Sequence, residues 1–119
     1  MSAANEAQSR VPETPYRIAN YTAEIFLSYV EQEFHFQATE RGGSVCFKLL
    51  RVSRASQAAT PPGFRAPFSL LFTLNDSEPV AGGLYQIEHA DFEPAPWFFS
   101  RVVVPGAAPG IPYYEAVFG

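Results

Sequence analysis

The sequence predicts a small, mainly β protein: an antiparallel β-barrel or sandwich of about six strands with one short N-terminal helix. Three observations point there. Aromatic residues make up 15% of the chain, with 11 Phe and 6 Tyr, and aromatics favour strands. The 11 prolines would break a helical bundle of this size, because each interior proline costs a helix about 3 kcal/mol. Short runs of alternating apolar and polar residues recur along the chain, with Gly- and Pro-rich turn signals between them. At 119 residues the chain fits one domain, long enough to bury a core without disulfides or metals.

Residues 1–18 (MSAANEAQSRVPETPYRI) are polar, hold two prolines and show no periodicity. They read as a flexible N-terminal arm ahead of a β-rich domain at 19–119. The arm is either a plain tail or a strap that docks on a neighbouring subunit through Val11, Tyr16 and Ile18. A helix of about two turns is expected next. Thr22 is its N-cap, and Glu24 lies in the first turn, where negative charge suits the helix dipole. Tyr21 and Phe26 are placed to form a hydrophobic staple, and Ile25, Phe26, Tyr29 and Val30 share one face.

The period then switches to two. Phe34 and Phe36 alternate with His35 and Gln37 in a first strand. Arg41-Gly42-Gly43-Ser44 signals a turn, and Val45, Phe47 and Leu49 alternate with Cys46 and Lys48 in a second. A loop at Ala55–Arg65 contains Pro61-Pro62-Gly63. The third strand starts at Pro67, where proline needs no ladder donor; Phe68, Leu70, Phe72 and Leu74 line one face. Asn75–Gly83 turns the chain, and Tyr85 and Ile87 alternate with Gln86 and Glu88 in a fourth strand. A fifth, Trp97–Val104, is apolar on both sides except at Ser100 and Arg101, which predicts burial or coverage by the helix. Pro105–Pro112 is a rigid loop, and Tyr113–Phe118 closes the fold.

The residues that could carry chemistry do not assemble into a catalyst. Glu88, His89 and Asp91 form the best titratable cluster, yet neighbours in a strand point to opposite faces, so Glu88 and His89 cannot cooperate easily. His35 has no Cys or His at a metal-binding spacing. With two His and one Cys in all, a structural zinc site would need carboxylates or another chain. Cys46 lacks the basic setting of a reactive thiolate and reads as a small buried thiol. Phosphate loops, nucleophile elbows and paired-Cys motifs are absent. The chain is therefore expected to be non-enzymatic, with no cofactor.

Net charge is −4 and the sequence pI about 5.0, against nucleic-acid binding. No apolar run approaches the ~20 residues of a membrane helix, and Met1–Arg10 does not read as a signal peptide. Cytoplasmic residence is the default, with export by a route lacking a signal sequence, or a place in a virion or extracellular assembly, left open. Charge is segregated along the chain. Arg41, Lys48, Arg51, Arg54 and Arg65 occupy a stretch without acids; Asp76, Glu78, Glu88, Asp91 and Glu93 occupy one without Lys or Arg. Pairing within one molecule between adjacent strands is the preferred explanation. The alternative is a positive patch meeting the next subunit's negative patch, head to tail. Trp97, in Pro96-Trp97-Phe98-Phe99, is a further contact candidate because aromatics concentrate at interface hot spots; the competing reading is core burial.

Ala66-Pro67-Phe68-Ser69-Leu70-Leu71-Phe72, Gly83-Leu84-Tyr85-Gln86-Ile87-Glu88-His89 and Tyr114-Glu115-Ala116-Val117-Phe118 together resemble an uncharacterised bacterial domain-of-unknown-function family, DUF6916-like, as does Tyr21-Thr22-Ala23-Glu24. The resemblance covers about residues 20–118 and rests on packing and turn patterns. Members of that family are often encoded near tail-collar or tail-fibre-like proteins, which implies a phage-tail-like or surface-fibre assembly. The long arm and Glu93-Pro94-Ala95-Pro96-Trp97 depart from the family pattern. The leading expectation is a structural or accessory protein that self-assembles, as a homo-oligomer or filament, or binds a tail-fibre-like partner, with strand edges as pairing sites. The rival is a small module holding an apolar ligand in a barrel lined by Phe68, Phe72, Tyr85 and Trp97.

Overall fold

The alternation read from the sequence becomes a curved wall with a dry inside and a wet outside. The computed structural model describes residues 14–39, 43–54, 62, 66–74, 80–107 and 110–119. Six strands, β1 (Glu33–Ala38), β2 (Ser44–Arg54), β3 (Phe68–Leu74), β4 (Gly83–Glu88), β5 (Pro96–Val102) and β6 (Tyr113–Phe118), close into an antiparallel barrel in the order β1-β2-β3-β6-β5-β4. Two three-stranded meanders, β1–β3 and β4–β6, are joined side to side by the β3/β6 and β1/β4 ladders. Closure pairs both sides of every strand, so among the described residues there is no free edge. The edges expected as pairing sites do not exist, because a sheet curled on itself uses them up.

One end of the barrel is plugged by a short helix, α1 (Ala23–Leu27), preceded by a 3-10 turn at Ile18–Asn20. The Thr22 side chain caps α1, its hydroxyl accepting a hydrogen bond from the Ile25 amide at 3.3 Å. Tyr21 and Phe26 meet edge to face at 5.3 Å, forming the staple. The regular helix is five residues long, shorter than the two turns expected. Beyond Leu27 the chain leaves the helix through turns, and Glu31 takes a left-handed conformation at φ 75°. Its amide then donates to Leu49 of β2, at 2.7 Å.

The interior is built of rings. Phe34, Phe36, Phe47, Phe72, Phe99 and Tyr114 are fully buried, and Trp97 is 1% exposed. Phe47 stacks on Phe99 at 4.6 Å, and Phe36 lies edge-on to both Trp97 and Phe99 at about 5 Å. At the helix end Phe26, Phe68, Phe92 and Phe118 continue the same core. The Trp97 indole N–H donates to the Tyr21 hydroxyl at 3.2 Å. Burial pushes that hydroxyl up to about 12, the Trp97 hydrogen bond opposing and the Glu93 charge adding to the effect.

At the opposite end, the link between β3 and β4 joins strands on opposite sides of the barrel. Its described part, Val80–Gly82, is held from inside. The Tyr114 hydroxyl donates to the Val80 carbonyl at 2.8 Å and accepts from the Val80 amide at 2.9 Å; the Tyr85 hydroxyl donates to the Ala81 carbonyl at 2.5 Å. Gly82 passes so close to β5 that a Cβ there would lie 2.7 Å from the Phe99 carbonyl oxygen. Gly83 turns into β4 at φ 145°, a conformation open mainly to glycine.

Two strands differ from expectation. β2 runs on to Arg54, with a bulge where the β2/β3 register slips between Leu49 and Arg51. The extra residue reverses the phase of the strand: Arg51 points outward and Val52 packs against the core. β5 stops at Val102 and is not covered on both faces, for Phe98 is 61% exposed. The helix plugs the barrel's end and contacts β2, leaving the outer face of β5 bare.

Candidate interaction surface

The titratable cluster lies at the corner between β4 and β5. Glu88 is exposed at the end of β4, while His89 is half-buried against the rings of Tyr29, Phe34 and Phe92, at 5.1–5.7 Å. The Asp91 amide donates to His89 Nδ1 at 3.0 Å, which makes that nitrogen an acceptor. Desolvation lowers the His89 pKa from 6.5, against the raising effect of the Asp91 charge and with a further lowering by His35. Burial thus favours the neutral imidazole. The Asp91 carboxylate accepts from the Tyr29 hydroxyl at 2.7 Å. These contacts shape the β4–β5 turn.

The same turn holds the N-terminal segment. The Tyr16 amide donates to the Asp91 carbonyl and the Glu93 amide to the Tyr16 carbonyl, each at 2.9 Å, with the Tyr16 and Phe92 rings 5.4 Å apart. Tyr16 is therefore anchored to its own barrel. Ile18 is 38% exposed beside it. Val11 and Arg65 lie outside the described residues.

Arg41, Asp76 and Glu78 also lie outside the described residues; among those described, charges pair locally, with partners other than the ones expected. Arg54 meets Glu24 of α1 at 2.7 Å, Lys48 meets Glu31 at 3.1 Å, and Arg17 meets Glu93 at 3.4 Å. The expected pairing of the basic and acidic stretches fails for β2 and β4 because β1 separates them in the barrel. Among the described residues Arg51 forms no ion pair.

Trp97 is core, so the contact candidate in Pro96-Trp97-Phe98-Phe99 passes to its neighbour. Phe98 faces solvent and stands directly across the β4/β5 ladder from Leu84, which is 50% exposed. On β6, the next strand round, Val117 is 65% exposed. The outer wall of β4, β5 and β6 thus carries three large apolar side chains. The signal for them was in the sequence: with Trp97 and Phe99 turned inward, period two sends Phe98 outward.

Cys46 is half-buried on the outer wall, not in the core, and faces His35 directly across the β1/β2 ladder. The sequence did not carry this register, since a hairpin centred on the expected turn at 41–44 would set residue 35 opposite 50, whereas the ladder sets it opposite 46.

A family model described as "Domain of unknown function (DUF6916)" matches residues 21–118. No curated protein and no solved structure matches the chain significantly.

Proposed function

The chain belongs to the DUF6916 family, and from that premise we propose that it is a non-enzymatic interaction domain, a building block or adaptor in a tail-like or surface-fibre assembly. The observation that carries this reading is the Leu84–Phe98 pair, two large apolar side chains opposed on the outer wall at 50% and 61% exposure. Contiguous exposed apolar surface on a small domain marks a contact site more often than chance, and a central aromatic suits a hot spot. A closed barrel has no edge to offer, so association runs through such side-chain faces. The packing of His89 on three rings and the divergence of Glu88 favour a structural reading of this cluster.

The rival, an apolar ligand inside the barrel, is disfavoured by the stacked rings that fill the interior. A cavity of about 490 Å³ lies instead outside the barrel, between Arg17–Asn20 and Glu93–Ala95. Among the described residues no helix is long and apolar enough to cross a membrane.

Light scattering across a concentration series tests self-association. The wild type should exceed the 13.1 kDa monomer mass, and Phe98→Ser with Leu84→Ser should return it to monomer. A wild type that stays monomeric at every concentration overturns self-assembly.

A further inference from the structure

We propose that Glu33, His35 and Cys46 form a binding site for a divalent transition-metal ion of the zinc class on the outer wall of the barrel. Their ligand atoms (a carboxylate oxygen, an imidazole nitrogen and a sulfur) all lie within 4.8 Å of one another. The backbone explains why. In the β1/β2 ladder the Ala38 amide donates to Gly43 at 2.7 Å and the Leu49 amide to Gln32 at 3.0 Å. Bonded pairs alternate with non-bonded ones. Phe36–Val45 and Phe34–Phe47 are therefore bonded, and His35–Cys46 is a non-bonded pair, the kind whose Cα atoms approach to about 4.5 Å. Glu33, two residues before His35, shares its face of β1.

The ligand chemistry selects the metal. Oxygen, nitrogen and thiolate together suit zinc, and are poorly matched to calcium or magnesium, which take oxygen alone. Bond lengths of about 2.0–2.3 Å require the three side chains to close on the ion by rotamer adjustment, which their place on an open wall allows. On binding, the Cys46 S–H bond breaks, its proton leaves to solvent, and the sulfur's electron pair bonds the metal. Thiolate and Glu33 carboxylate then balance the double positive charge. Glu88 stands beside His35 on the β4 side and adds negative potential. Lys48, across from Glu33, has its ammonium engaged by Glu31 at 3.1 Å. A fourth position stays open to water or to a group from another molecule. The site is independent of the Leu84–Phe98 face and stands whether or not that face mediates assembly.

Cobalt(II) is the probe, because a thiolate ligand gives it a charge-transfer absorption. The reduced full chain titrated with cobalt should show that absorption, saturating at no more than one ion per chain and displaced by zinc. Loss of an outer-shell partner of a metal ligand costs about 10–100-fold in affinity, so loss of a ligand should cost at least about 100-fold. Cys46→Ser should abolish the absorption. His35→Gln and Glu33→Gln should each weaken binding, and Glu24→Gln, whose carboxylate pairs with Arg54, should leave it unchanged. Circular dichroism of each variant checks that the barrel is retained, as expected for outward positions. An absent charge-transfer absorption overturns the site. So does an absorption that survives both His35→Gln and Glu33→Gln undiminished, which would mean that the thiol alone takes up the metal.

Discussion

His89 is tied into the β4–β5 corner both by its ring and by its Nδ1. Its ring is packed by three aromatic rings and its Nδ1 receives the Asp91 amide, so protonation would cost both a hydrogen bond and desolvation. The folded-state pKa lies below the ordinary 6.5. Below pH 6.5 the unfolded chain therefore binds a proton that the folded chain refuses. The stability His89 contributes is complete above 6.5 and is lost as pH falls through the lower folded value. Urea midpoints measured through this range should decline in the wild type. In His89→Asn, where the side-chain oxygen can still accept from Asp91, the decline should be absent until the carboxylates titrate. Equal slopes in the two proteins would show that His89 is not the group responsible.

Among the elements, the β3–β4 link shows what a sequence signal can and cannot carry. Asn75–Gly83 reads as a turn in the sequence, and its described part, Val80–Gly82, leads directly into β4. That Gly82 lies against the β5 backbone is set by a strand far along the chain, and no local pattern encodes it. Gly82→Ala would force the link off the Phe99 carbonyl and disturb the Tyr114 and Tyr85 hydroxyls that hold it. A loss of about 1–3 kcal/mol is expected, in the range of overpacked sites, and a denaturant titration would measure it; an unchanged midpoint would refute the close contact. The same distinction runs through the molecule. Phe34, Phe47, Phe72 and Tyr85 were legible as inward because period two needs only neighbours along one strand. The bulge after Leu49, the closure of β4 on β1, and the meeting of Glu33, His35 and Cys46 depend on which strands pair and in what register. Phe98 lay between: its outward direction was readable, but its bareness depended on where α1 came to rest.

For the molecule as a whole, one aromatic core reaches from the α1 plug to the Tyr114 hydroxyl at Val80, and every strand shares it. No strand can leave without opening the ring, so the barrel should unfold as a single cooperative unit. Heating followed by far-ultraviolet circular dichroism and by Trp97 fluorescence should give coincident transitions; a separate early loss of either signal would contradict this. Closure also bears on aggregation. Phe68–Leu74 (FSLLFTL) is apolar, rich in strand-forming residues and uncharged, the type of segment that stacks into cross-β aggregates when its backbone is bare. In the barrel it is paired on both sides, with β2 and β6. The hazard is thus absent from the native wall and resides in the opened chain, so shelf life is governed by how often the ring breaks.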